Sequence, residues 1–142
     1  NFRFFFRCIV NKLLTILILV FFSNYIFAHH PNHKVEAEMP YPSINLKITK
    51  DIVDGYNLFI ELNNFKLTPN LIGKKNNPNN GYLNLYVNDI KIARVYSYWF
   101  HIPERYFNLK ENIITVTLNS NMHGELTIEG KNIQANIKYK KD

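Results

Sequence analysis

Cysteine is almost missing from this chain, with one residue, Cys8, in 142. Disulfides cannot staple the fold beyond that point. A thiolate nucleophile, an iron–sulfur cluster and a thiolate zinc or blue-copper site fall by the same absence. Glycine is scarce as well, at five residues, and no glycine-rich phosphate loop is present. Ser43, Ser97 and Ser120 lack a G-x-S-x-G context, and no H-E-x-x-H occurs. Carboxylates are spread among turns and strand exteriors, Glu36 and Glu38 being the closest same-side pair. Catalysis is therefore not expected. The longest apolar run, "LLTILILVFF" from Leu13 to Phe22, is half the length of about 20 residues that a bilayer span needs.

That run sits between a basic start (Arg3, Arg7, Lys12) and a more polar end, "SNYIFA", closing on Ala28. The three-part layout predicts a cleaved secretory signal peptide over residues 1–28, helical in form, and a periplasmic or secreted protein free of the membrane after cleavage. Ile26, where a small residue is usual, keeps a retained anchor as the alternative. Removing the signal takes three of the 17 basic residues and none of the 11 acidic ones, so the formal charge of +6 falls to +3. The remaining basic residues form no stripe of the kind nucleic acid requires, and no nucleic-acid partner is expected.

Past a histidine-containing leader, residues 29–43, the pattern has period two with turn signals every 8 to 12 residues, as in β-sandwiches and barrels. "INLKITK", "YNLFIELN", "YLNLYVN", "IKIARVYSY", "NIITVTLN", "ELTIE" and "NIQANIKY" predict about seven strands. Leu46, Ile48, Leu58, Ile60, Leu83, Leu85, Ile114, Val116 and Leu118 are expected in the core. Each such strand can bury only one face. Residues 44–142 are thus expected to form one all-β, immunoglobulin-like antiparallel sandwich. Thr68–Gly81 is expected to be an exposed loop.

Three of five histidines lie at His29, His30 and His33. Cleavage after Ala28 would give His29 a free α-amine beside its imidazole, a donor set that suits copper. Pro31 has no amide proton, so a ligand from elsewhere must close the site, and His101 or His123 are the remaining histidines. Met122, beside His123, offers a soft thioether. Weighed against this is a flexible polar leader with loose metal affinity at most. "VYSYWFHIP" is the densest aromatic stretch, and Tyr96, Tyr98, Trp99 and Phe100 are expected to form an interaction patch for a partner at the cell envelope. Trp99 and Phe100 should fall on opposite faces of a regular strand.

The runs Gly81–Pro103 and Ile114–Gly124 resemble a group of small exported, largely uncharacterised bacterial proteins. Their pattern is a glycine followed by H-x-H-L-Y-V-N-G, then K-I-x-R-x-Y, W-x-H and V-T-L-N-x-N-x-H. The matching residues are Tyr86-Val87-Asn88, Lys91-Ile92-Ala93-Arg94, Trp99, His101, Asn119 and His123. Tyr82 and Asn84 stand where the pattern has its first two histidines, and Asp89 where it has the turn glycine. The resemblance implies a site at the histidines that remain, with two donors missing. "NNFKLTP" is similar to the F-x-F-x-P run of cupredoxin-like domains, but their cysteine ligand is absent. Exported copper carriers with an N-terminal histidine are a looser likeness. Both point to a non-enzymatic binding module, with copper or an envelope protein as its partner.

Overall fold

The structure, a computed structural model, describes residues 33–75 and 77–141. The expected signal helix, His29 and His30 lie outside the described residues. What is described is an all-β sandwich. Its strands are β1 (Lys34–Glu36), β2 (Ser43–Lys50), β3 (Tyr56–Asn63), β4 (Lys66–Leu67), β5 (Asn80–Val87), β6 (Ile90–Val95), β7 (Trp99–Ile102), β8 (Glu111–Ser120), β9 (Glu125–Ile128), β10 (Lys131–Asn132) and β11 (Gln134–Lys140). Single 3-10 turns lie at Pro69–Leu71 and Glu104–Tyr106.

β2, β3 and β7 form a three-stranded antiparallel sheet. The other eight strands form a mixed sheet centred on β5 and β8, which pair antiparallel from Gly81↔Ser120 to Val87↔Ile114. β6 flanks β5, while β11 and β9 flank β8. Two short pairings are parallel, β1 on β9 and β4 on β5.

Alternation decides the core. Leu58, Ile60, Leu83, Leu85, Ile114, Val116 and Leu118 are buried between the sheets, as their spacing requires. Leu46 and Ile48 are only half-buried, because β2 is an edge strand. Tyr56 and Phe107 fill one end, their ring centroids 3.9 Å apart. Asn88 and Asp89 both take positive φ, giving the hairpin turn their identities suggest.

Three expectations are corrected. The stretch "IKIARVYSYWF" is not one strand. β6 ends at Val95, and β7 joins the opposite sheet, so the chain crosses between layers at 96–98. Strand number is eleven rather than seven, because β1, β4 and β10 are two- or three-residue pairings without readable periodicity. The long loop is tied down: Asn79 Nδ2 donates to Glu38 O (2.7 Å), and Gly73 N donates to Asn121 O (2.7 Å).

Candidate functional site

A sandwich has two outward faces, and here they differ in chemistry. On the three-stranded sheet, register aligns Lys47, Phe59 and Trp99 in one cross-strand row, and Thr49, Asn57 and His101 in the next. Phe59 is 44% exposed, Trp99 49% and Tyr98 58%. Asp51, in the β2–β3 turn, accepts from the Val53 amide (2.9 Å) and from Asn57 Nδ2 (2.8 Å). These donors, the Val53 amide first, hold its carboxyl below its ordinary range, with a smaller push from His101. His101 Nδ1 lies 3.5 Å from Asn57 Oδ1.

The outward face of the large sheet is polar throughout. One row runs Arg94, Asn84, Thr117, Gln134; the next holds Lys91, Tyr86, Thr115, Asn136; and a third holds Tyr82, Asn119, Glu125. Tyr82, Asn84, Thr117 and Asn119 are nonetheless buried, covered by longer neighbours. Arg94 Cζ lies 4.4 Å from the Tyr82 ring centroid, and Tyr82 OH is 3.3 Å from His123 Nδ1. Thr117 Oγ1 donates to Asn119 Oδ1 at 2.8 Å. Burial raises the Tyr82 phenol, with Arg94 opposing. Burial also raises Tyr86, with Glu125 adding to it. Asn84 Oδ1 has no partner among the described residues.

The expected site residues therefore divide. Trp99 and Tyr98 are exposed, but Phe100 turns inward against the core, so it leaves the proposed aromatic patch. Tyr96 leaves it too, half-buried beside Tyr82 with ring centroids 6.2 Å apart. Phe59 takes their place. His101 and His123 project from opposite sheets whose backbones are about 10 Å apart, so one ion cannot hold both. His123 and exposed Met122 belong to the β8–β9 turn, where His123 takes φ 64°.

The leader reaches that turn. His33 O accepts from the Glu125 amide (2.8 Å), and a Cβ on Gly124 would collide with Val35 and press on the His33 ring. Glycine at 124 is thus what lets β1 approach. Among the described residues, no three His, Cys, Asp or Glu side chains are grouped to hold a metal. No family model, curated protein or solved structure matches the chain.

The polar face was missed from sequence because Asn84, Thr117 and Asn119 read as solvated alternates. A usable signal was present: Tyr82, Asn84, Arg94, Asn119 and His123 all fall within the motif runs, and period two places the first two on one face.

Proposed function

We propose that the chain is an exported, non-catalytic module of the periplasm or extracellular space that docks on a protein partner through the outward face of its three-stranded sheet. The observation that carries this reading is the directly paired, half-exposed Phe59 and Trp99, with Tyr98 beside them and Lys47 at the rim. Aromatic side chains with a polar surround are the usual anchors of protein interfaces. A photo-reactive phenylalanine placed at 99 should give a discrete protein adduct in the envelope fraction. The same probe at Gln134, on the other face, should not, and Phe59→Ala should abolish the adduct at 99. Equal labelling from both faces would sink the idea.

A second reading rests on the leader. β1 brings His33 to Gly124, next to Met122 and His123, so copper held by His29, His30 and His33 would be completed by His123 and not by His101. Cu(II) titration should then weaken markedly in His123→Ala and stay unchanged in His101→Ala. Binding should also fall below about pH 6, as imidazoles of pKa near 6.5 take up protons. Equal effects of the two substitutions would remove this reading.

A further inference from the structure

The outward face of the large sheet holds a depression of about 240 Å³ between the β5–β6 turn and β9–β11. It is lined by Tyr86, Asp89, Thr115, Thr117, Glu125, Asn132 and Gln134. We propose that it binds one ring of a neutral, polyhydroxylated carbohydrate.

The lining carries almost every kind of hydroxyl-recognising group. Carboxylates accept, side-chain amides both donate and accept, and threonine hydroxyls do either. Asn132 is already set: its Nδ2 donates to Glu125 Oε2 at 2.6 Å, and its Oδ1 is buried without a partner. A buried acceptor left in that state costs about 1–3 kcal/mol, which a ligand hydroxyl would recover. Thr117, itself buried, stands at the floor, and its row neighbour Asn84 carries a second unsatisfied carbonyl oxygen. The Tyr86 ring supplies the apolar surface that the C–H side of a sugar needs.

Charge and size select among ligands. Asp89 and Glu125 disfavour an anion. Lys91 and Arg94, in the same rows as Tyr86 and Asn84, offset those carboxylates and disfavour a cation. The volume lies below the ~300–1,000 Å³ of pockets that hold drug-sized molecules, and suits a single ring. This site is on the face opposite Trp99, so it stands apart from the docking surface proposed above.

The test is amide-resolved NMR of the full chain, titrated with the methyl glycosides of glucose, mannose and galactose and with N-acetylglucosamine. At least one should shift the side-chain amides of Asn132 and Gln134 together, saturably. Gln134→Ala, an exposed position whose loss leaves the core intact, should weaken that sugar about 3- to 10-fold, as expected for one hydrogen bond. Glu125→Gln should weaken it as well, while Trp99→Ala should not. The proposal is overturned if no sugar shifts these amides. It is equally overturned if the shifts survive both substitutions unchanged, or if Ca²⁺ or spermidine alone produces them.

Discussion

Phe59 and Trp99 lie across two strands with their rings half in water, whereas Tyr82, on the other outward face, is 3% exposed under Arg94 and His123. Both faces are nominally solvent sides of a sandwich. On the small sheet the cross-strand neighbours Lys47 and Asn57 leave the aromatic rings uncovered. On the large sheet the neighbours lie over one another and form a thin polar second layer. Aromatic content alone therefore says little about availability. The residues next in register decide whether a ring is a docking surface or a structural part.

Truncating an aromatic ring on each face tests this difference most severely. Tyr82→Ala should destabilise by about 3 kcal/mol, in the range of buried aromatic truncations. Trp99→Ala should cost about 1 kcal/mol or less. Urea unfolding of both variants measures the gap, and equal losses would mean that the two faces are packed alike. Thr117→Val comes next: it keeps the shape but removes the donor to Asn119 Oδ1, and should cost about 1–2 kcal/mol. A neutral result would show that the polar layer is solvated after all.

The smallest effect concerns pH. Asp51, on the small-sheet side, is held below its ordinary range, first by the Val53 amide. Glu36, on β1, is held down first by the Thr127 hydroxyl (2.7 Å) and then by the Glu129 amide. A depressed carboxyl stabilises the fold above its unfolded-state pKa near 4, and that contribution is lost as pH falls through the lower folded value. Melting temperatures should therefore drop between pH 5 and 3. The drop should be shallower in Asp51→Asn and in Glu36→Gln. An unchanged slope in both would exclude these two groups as its source.

Most of the sandwich was legible because its long strands bury one face each. Ile114, Val116 and Leu118 announce β8 by spacing alone. The layer change after Val95 was not, since "YSYW" continues the same alternation while the chain changes sheets. Nor were β1 and β4, whose two or three pairs depend on a partner far away in sequence. At the candidate sites, the opposite faces of Trp99 and Phe100 followed from period two, and so did exposure for one of them. Convergence did not: whether His101 meets His123 depends on which sheet β7 joins, which no local pattern encodes.

β1 has a consequence for the life of the protein outside a cell. Its three residues cap the edge of β9 from a segment attached to β2 only through residues 37–42. Proteolytic nicking within that connection would release the cap and leave β9 with an unpaired border. Such a border accepts any extended segment, including the same strand from a second molecule. Trimming in that connection would thus convert a monomeric sandwich into one able to exchange strands and join end to end.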